Sequence, residues 1–577
     1  MQRRKANAYI ASPVATPGSP TEEKPLSRWN QKSLGVTNRI WLILASFLAI
    51  VAFTRYITPE NTVVQGNRHV VIASNLKPKN YLNTTRAAEG TVPFDFCPVF
   101  GPGDDLAQKY GSLQLSRTRL HLGSNARVQR VIHKALLGLP VTISVVGGSV
   151  SACHGAGDDP LSPDCYPSRF FHWWNNVFPH SASEITNGAM RRINSAYFGF
   201  CAAHHIPDIT DLVIVELDSD DDDDSIDNFE LLVRSLLLRK EQPAVIVLGH
   251  FSPQVQETYG FAGPEHWHSI VAQFYDVPHI STKPLIYPDY IADPSSTSHL
   301  YVDPVLASPA GHEYLADVLI SYMQSQVCAA YNAALGKNQD ALPLLAADSV
   351  NVRQPTDARG LFGGVGQRKG AGAAQDGEGA PVSEEDENAP DNKGNALAMN
   401  ALTAHMLIPP SRINTRPAEL SGATGRTFEE IAPFCASAND LVNPLPPSIF
   451  AGTGWTSAHP PLGSTGDWRV SAHYWVSTLP TSQLRIPIQV GNGDIGIYFL
   501  RETQAAVGDG SAVECWVDDN VPGRRTIRNV GPVGEATPTL TFIDHYVARG
   551  PHYVECVLMG EEGQSVPPFR IMGIFAN

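Results

Sequence analysis

The stretch VTISVVGGSVSACHGAG, residues 141–157, decides how this chain folds. It begins with an almost wholly apolar run that ends in two glycines, which is typical of a strand buried on both faces of a parallel sheet. Ser149 follows directly, so we expect its hydroxyl at the carboxyl end of that strand. A serine nucleophile needs this placement, beside backbone N–H groups that stabilise an oxyanion. The same residues also fit a serine that only caps the following segment.

Strand and helix patterns alternate around this stretch, from residue 126 to residue 335. The runs LVIVELD at 212–218 and AVIVLGHF at 244–251 predict two more buried strands. Three helices are predicted to begin at residues that favour a helix start, namely Pro167, Ser225 and Ser308. Aromatic or apolar residues at helical spacing follow each of them. We therefore predict a three-layer α/β/α domain with a parallel sheet over 126–335.

The last part of the chain changes to period two. LRIPIQVGNGDIGIYF, SAVECWVDD and HYVECVLMG alternate apolar and polar residues without helical patterns between them. We predict an all-β, jelly-roll-like sandwich over 410–577. Cys515 and Cys556 fall on core-facing positions, where they either bond to each other or pack as thiols. Residues 336–409 are rich in Gly, Ala, Asp, Glu and Asn, which predicts a disordered linker.

The N-terminal part of the sequence indicates a membrane anchor. Residues 1–39 are basic and rich in Pro and Ser, which predicts a disordered cytosolic tail, and an uncharged apolar run follows at 40–53. We predict a transmembrane signal anchor over 40–57 in type II orientation, in the ER or Golgi or at the cell surface. A cleaved signal peptide and a buried helix are the alternatives. Residues 58–125 are then a stalk and entry region.

Length, charge and cysteine usage restrict the function. A chain of 577 residues exceeds the roughly 250–300 residues that one core supports. The net charge of -15 argues against nucleic acid as a partner. Asn83 lies in the glycosylation sequon NTT. An even number of cysteines beyond the span favours disulfides, and they are Cys97, Cys153, Cys165, Cys201, Cys328, Cys435, Cys515 and Cys556.

Four short blocks share an order that resembles the SGNH, or GDSL-like, hydrolase superfamily. The blocks are GGSVS at 147–151, NGA at 187–189, VELDSDD at 215–221 and VDPVLASPAGHEYLAD at 302–317. The C-terminal region, with FRIMGIFA at its end, looks like the β-sandwich of membrane-anchored fungal proteins of the capsule-associated type. The resemblance implies an ester hydrolase or acyltransferase acting on O-acyl, above all acetyl, groups of cell-wall or capsular glycan, with no cofactor.

The resemblance assigns roles to individual residues. It implies Ser149 as nucleophile, Gly188 as oxyanion donor and Asp303 as the residue that orients the base. Leu306 occupies the position of the base histidine, and Asp220 occupies that of an oxyanion-binding asparagine. Leucine accepts no proton, and a carboxylate repels an oxyanion unless its pKa is raised.

Several alternatives remain open at this point. His250, which follows a strand, is the first candidate for a substitute base, before His299 and His154. The acidic run at 218–224 is either a cation site or a solvated loop before a helix. A catalytically inactive scaffold that binds glycan or supports its synthesis competes with the enzyme. Three tryptophans form either a sugar-stacking surface or core, and they are Trp455, Trp468 and Trp475.

Overall fold

The structure is a computed structural model of the chain. It describes residues 32–33, 36–38, 40, 42–47, 49, 76–83, 92–222, 225–337, 408–415, 430, 432–439, 451–459 and 472–577. The chain divides into two compact units, Met1–Val70 and Val71–Asn577. Almost all of the predicted tail and linker, and Trp468, lie outside the described residues. The domain boundaries from the sequence stay predictions.

The first unit is described only in part. Lys32–Ser33 pairs antiparallel with Val36–Thr37, and residues 42–47 are helical. Within the described part of the chain, none of the helices combines the length and the apolar character that a membrane crossing requires. The anchor over 40–57 stays a prediction.

The second unit begins with an α/β domain. Its main elements are α1 (Asp105–Tyr110), α2 (Ser112–Arg117), β1 (Arg119–His121), α3 (Ala126–Leu136), β2 (Thr142–Gly147), α4 (Tyr166–Val177), β3 (Glu184–Asn187), α5 (Ser195–His205), β4 (Leu212–Glu216), α6 (Ile226–Leu237), β5 (Ala244–Gly249), α7 (Pro253–Tyr259), α8 (Pro264–Phe274), β6 (His279–Ser281), α9 (Lys283–Ala292) and α10 (Pro309–Ala334).

The six strands form one sheet in the order β1-β6-β5-β4-β2-β3. All neighbours are parallel except β1, which runs antiparallel to β6 at the edge. Helices α3, α4 and α10 pack on one face, and α5, α6 and α8 pack on the other. The predicted three-layer α/β/α domain is thus confirmed. Strands β2, β4 and β5 are covered on both faces, which explains their continuous apolar runs.

Two predicted helix starts differ in how they are capped. The Ser308 hydroxyl accepts the Gly311 N–H at the start of α10, as the Ser-Pro pair predicts. Ser225 stands at the N-cap of α6, but its hydroxyl donates to Asp222 instead of accepting from the helix. The Ser225 hydroxyl is therefore bound to the acidic run and does not cap the helix.

The C-terminal part is the predicted β-sandwich. Its main elements are β7 (Phe434–Ser437), β8 (Ala451–Thr453), β9 (Thr456–Ala458), β10 (Tyr474–Ser477), β11 (Gln483–Val490), β12 (Ile495–Thr503), α11 (Gln504–Val507), β13 (Ala512–Val517), β14 (Arg525–Arg528), β15 (Val530–Gly531), β16 (Thr537–Asp544), β17 (Gly550–Leu558) and β18 (Phe569–Ala576). One sheet has the order β8-β11-β17-β13-β14 and the other β9-β10-β18-β12-β15, with β16 beside β12 and β7 beside β18.

Burial in the sandwich follows the predicted alternation. Every second residue of β11 is buried, because one face of this strand meets the opposite sheet. Trp455 and Trp475 lie in the sandwich core, which favours the core interpretation over a sugar-stacking surface. All eight cysteines are paired, and the disulfides are Cys97–Cys328, Cys153–Cys165, Cys201–Cys435 and Cys515–Cys556.

The α/β domain and the sandwich share one hydrophobic cluster. Tyr498 and Phe575 of the sandwich pack against α5, whose apolar residues surround the whole helix. The Cys201–Cys435 disulfide joins α5 to β7. The buried Arg234 side chain of α6 forms an ion pair with the more exposed Glu430. The sandwich therefore packs directly on α5, on the face of the sheet that α5, α6 and α8 cover.

Candidate active site around Ser149

Ser149 lies at the carboxyl end of β2, where the glycines before it permit a close approach of two neighbouring segments. A Cβ atom on Gly147 would lie 2.5 Å from the Glu216 carbonyl oxygen, and one on Gly148 would lie 1.9 Å from Asp220 Oδ2. Any side chain at these positions would push the segment after β4 away from the serine. Ser149 itself is 4% exposed. Its hydroxyl is therefore held by protein groups and is nearly shielded from bulk water.

The Ser149 hydroxyl has two hydrogen-bond partners. It donates to Asp220 Oδ1 at 3.0 Å and accepts the backbone N–H of Arg192 at 2.8 Å. The Ser149 N–H donates to the other carboxylate oxygen of Asp220 at 2.8 Å. The Asp220 carboxylate thus accepts hydrogen bonds from both the side chain and the backbone of Ser149. The resemblance implied an asparagine at this position.

The environment of Asp220 shifts its proton affinity. Burial raises the pKa of Asp220 to about 6, against the opposing effect of the hydrogen bonds from Ser149. The negative charge of Asp221 adds to the rise, and the Arg192 charge reduces it. A carboxylate with this pKa is a stronger base than an ordinary aspartate, while still ionised at neutral pH.

The oxyanion donor expected at Gly188 is engaged elsewhere. The Gly188 N–H donates to Val145 O at 2.9 Å, because the residue continues the ladder between β3 and β2. The N–H that faces Ser149 belongs to Arg192, which has a φ of +56°. This left-handed conformation is unusual for a residue other than glycine, and no sequence signal identified Arg192.

The segment that carries the Arg192 N–H is fixed by the β-sandwich. The Arg192 guanidinium pairs with Glu535 at 2.7 Å, and the Tyr498 hydroxyl donates to Asn194 at 3.1 Å. Asn439 contacts the Met190 sulfur at 3.2 Å. The sandwich therefore helps to position a group that touches the candidate nucleophile.

The three candidate histidines have partners other than the serine. The His250 ring contacts the Val305 carbonyl at 3.0 Å, and burial lowers its pKa. His154 contacts Asp158 at 2.7 Å, and His299 contacts the Ser296 carbonyl at 3.0 Å. Among the described residues, no imidazole forms a hydrogen bond with the Ser149 hydroxyl.

Asp303 organises a turn rather than an imidazole. One of its carboxylate oxygens accepts the N–H groups of Val305 and Leu306, at 2.8 and 2.7 Å. Asp303 is exposed, and the Leu306 side chain packs against the apolar core. The described residues thus contain no Asp–His pair at this turn.

The acidic run is partly buried and makes specific contacts. Asp218 and Asp221 both contact His268, which the sequence interpretation did not single out. One signal was available, because His268 shares a helix face with the buried Val271 and Ala272. Within the described residues, no group of three or more His, Cys, Asp or Glu side chains has the arrangement of a metal site. Residues 223–224 lie outside the described part.

A second buried carboxylate lies next to the serine turn. Glu216 Oε2 accepts the Ser151 hydroxyl at 2.8 Å, and that hydroxyl contacts the Tyr166 hydroxyl at 2.7 Å. Burial, with the charge of Asp220 adding to it, raises the pKa of Glu216 to about 8. Glu216 is therefore largely protonated in the folded protein at neutral pH and ionised in the unfolded chain.

This difference predicts the pH dependence of stability for Glu216→Gln. Because the folded state holds the Glu216 proton up to about pH 8, wild-type stability falls as the pH rises from the ordinary glutamate pKa to that value. Glutamine has no proton to lose, so the variant should gain about 3 kcal/mol relative to wild type between pH 5 and pH 8. Urea unfolding of both proteins across this range measures the difference. A difference that is constant with pH would contradict the prediction.

Comparisons with known proteins found solved structures that are similar to this chain, but they did not assign it to a family. No family model and no curated protein matches this sequence. A solved two-domain esterase (CEX) active on acetylated mannans is similar at 17% identity, with a TM-score of 0.49, over 80% of this chain and 98% of the esterase. A lipase/acylhydrolase from Enterococcus faecalis is similar at 15% identity, with a TM-score of 0.25, over 32% of this chain and 95% of its own. At these values no residue role or substrate is transferred to this chain, and its chemistry is inferred from Ser149 and its partners.

Proposed function

We propose that this protein is a serine ester hydrolase or acyltransferase that acts on O-acyl groups, above all acetyl groups, of glycans in the secretory pathway. The observation that carries the proposal is the hydrogen bond from the Ser149 hydroxyl to Asp220, at the carboxyl end of a parallel sheet. Ser149 is the nucleophile, and Asp220 takes the place of the absent histidine as general base. The predicted lumenal orientation and the resemblance to glycan-modifying proteins support this choice of substrate class.

The reaction needs one proton shuttle. As Ser149 Oγ attacks the ester carbonyl, its proton passes to Asp220 Oδ1. The carboxyl group is then neutral while the oxyanion develops, so it does not repel the new charge. The same proton passes to the leaving sugar oxygen when the ester C–O bond breaks, which releases the sugar hydroxyl and leaves an acyl group on Ser149. Water or an acceptor hydroxyl then attacks this acyl group, with Asp220 again accepting the proton. When the bond between the acyl carbon and Ser149 Oγ breaks, this proton returns to Oγ and restores the serine.

Backbone N–H groups are available to stabilise the oxyanion. The Arg192 N–H already points at Ser149 Oγ, and the Ser149 N–H is 2.8 Å from Asp220. Protonation of Asp220 weakens its hold on the Ser149 N–H, because a neutral carboxyl group accepts hydrogen bonds less strongly than a carboxylate. The Ser149 N–H is therefore released toward the substrate at the stage when negative charge appears on it.

A second candidate function is an inactive scaffold that binds glycan. The observation that favours it is the low exposure of Ser149, 4%, together with a carboxylate in contact with the serine N–H. This scaffold would not need Ser149 as a nucleophile.

Labelling with a fluorophosphonate separates the two functions. If Ser149 is a nucleophile, mass spectrometry should locate one phosphonyl group on Ser149 and none on Ser151. Ser151 is an internal control, because it lies two residues further on and its hydroxyl is bound to Glu216 and Tyr166. Absence of labelling on Ser149 at millimolar probe, with the protein folded, would favour the scaffold.

A further inference from the structure

Two carboxylates beside Asp220 face away from Ser149 and meet one histidine. Asp218 Oδ1 lies 2.6 Å from His268 Nδ1, and Asp221 Oδ2 lies 2.9 Å from His268 Nε2. The side chains of all three residues are at most 2% exposed. We refer to Asp218, His268 and Asp221 as the buried trio.

The charge of His268 follows from its two partners when both aspartates are ionised, although burial raises the pKa of Asp221. An ionised carboxylate only accepts hydrogen bonds, so both ring nitrogens must donate, and only an imidazolium has two N–H donors. Burial alone would lower the pKa of His268, but the bonds to the two aspartates outweigh it and raise the pKa to about 9. The ring also stacks on Phe229, with centroids 3.8 Å apart. The buried trio therefore carries one net negative charge instead of two.

The other oxygens of the trio connect it to neighbouring elements. Asp218 Oδ2 accepts the His250 N–H at 3.0 Å, just after β5. Asp221 Oδ1 accepts the Ser195 N–H at 2.7 Å, at the start of α5. Through these contacts the trio ties the segment after β4 to β5, α5 and α8.

Asp220 lies within the segment that the trio holds. The N–H groups of Asp220 and Asp221 both donate to Leu217 O, at 3.0 and 2.9 Å, so the backbone turns tightly there. With Asp218 and Asp221 fixed on one side, the Asp220 side chain between them projects to the other side, toward Ser149. Any shift of the trio would move the carboxylate that contacts the serine.

We propose that His268 is a positioning residue for the reaction. Its imidazolium holds Asp218 and Asp221, and thereby fixes the Asp220 carboxylate against Ser149 and limits the negative charge beside it. The inference rests on the proposed function, in which Asp220 is the general base. His268 itself forms no hydrogen bond with Ser149, since its two ring nitrogens contact Asp218 and Asp221.

Other ionisable groups surround these carboxylates, and they are left unchanged in the variants of His268. The charged or titratable neighbours in the described part of the chain are Glu216, His250, Glu265, His279, Arg192 and Tyr498. Of these, His279 provides a matched control. It is fully buried, contacts Ser269 of α8 at 2.8 Å, and burial lowers its pKa to about 3, so it is neutral. His279→Gln changes packing against α8 without changing charge.

The experiment compares His268→Gln, the double variant His268→Gln/Asp218→Asn and His279→Gln in the full chain. His268→Gln removes the positive charge and sets an amide oxygen against a carboxylate. The double variant restores a net charge of minus one. Its new amide at position 218 can donate to the amide oxygen at position 268, and the amide nitrogen at position 268 can donate to Asp221. We expect His268→Gln to lower kcat about 10²-fold through misplacement of Asp220. We also expect the acid limb of the pH–rate profile to move up by about one unit, because added negative charge raises the pKa of Asp220.

The double variant should recover the position of the acid limb and most of kcat, and His279→Gln should keep both. Crystal structures add a readout that does not need activity, namely the distance from Ser149 Oγ to Asp220 Oδ1, which is 3.0 Å here. An unchanged distance and an unmoved limb in His268→Gln would overturn the inference while Ser149-dependent hydrolysis persists. Absence of Ser149-dependent hydrolysis in the wild type would instead refute the proposed function, and the distance in the variant would still decide whether His268 positions Asp220.

Discussion

Replacing Ser149 with alanine is expected to lower kcat/KM for hydrolysis of an O-acetylated oligosaccharide by at least about 10³-fold. The substitution removes the oxygen that attacks the ester and leaves the neighbouring N–H groups in place. Release of acetate, followed with a panel of acetylated oligosaccharides and with p-nitrophenyl acetate, measures the loss.

Ser144→Ala is the matched control for this prediction. Ser144 is a buried serine on the same strand, β2, and its hydroxyl contacts Thr210 at 2.8 Å. Loss of this hydroxyl should affect stability but leave kcat/KM within about twofold of wild type, since it lies inside the fold and away from the reacting atoms. Equal activity in Ser149→Ala and wild type would rule out Ser149 as the nucleophile.

The Asp220→Asn variant gives the second large effect. Asparagine accepts no proton from Ser149, so kcat/KM should fall about 10²–10⁴-fold, as on loss of a general base. The wild-type profile should rise with pH through about 6, because Asp220 acts only in its ionised form and its pKa is raised to that value. The variant should lack this acid limb. Measurement of kcat/KM from pH 4.5 to pH 8 tests both statements.

The same substitution separates two kinds of site. The residue it introduces is the asparagine that the SGNH resemblance implies at this position. If a histidine such as His250 were the base and Asp220 only an obstacle to the oxyanion, Asp220→Asn would keep or raise activity. Asp222→Asn is the control on the same acidic run, because Asp222 is exposed and accepts from the Ser225 hydroxyl. It should change kcat/KM by less than about twofold.

The periodicity of the sequence was enough to predict most of the fold. An apolar run such as Val245–Leu248 is stable only when both faces are covered, so it indicates a central strand of a parallel sheet. The alternation in β11 likewise predicts a strand with one buried face. The docking of the sandwich was not predicted, although α5 gave a signal, since its apolar residues surround the helix and need cover on a second side.

The candidate site was predictable only in part. The position of Ser149 at the end of a buried strand was predicted because the apolar run and the Gly-Gly-Ser turn depend on local sequence alone. Gly188 and Arg192 lie only a few residues apart, and the sequence could not show which of their N–H groups faces Ser149. The outcome depends on how far the pairing of β3 with β2 extends, because that pairing takes up the Gly188 N–H. The contacts of His268 depend on helix α8, which begins at Pro264, forty residues after the end of the acidic run, and residue spacing says nothing about such a contact.

The amino-acid sequence by itself determined the α/β and all-β parts of the protein and the place of Ser149 at the end of a strand, because periodicity and turn chemistry act between residues that are near in the chain. Only the tertiary structure decided which carboxylate contacts that serine, which cysteines pair and where the sandwich lies. Those contacts join residues far apart in the chain, and they depend on how completely each side chain is removed from water.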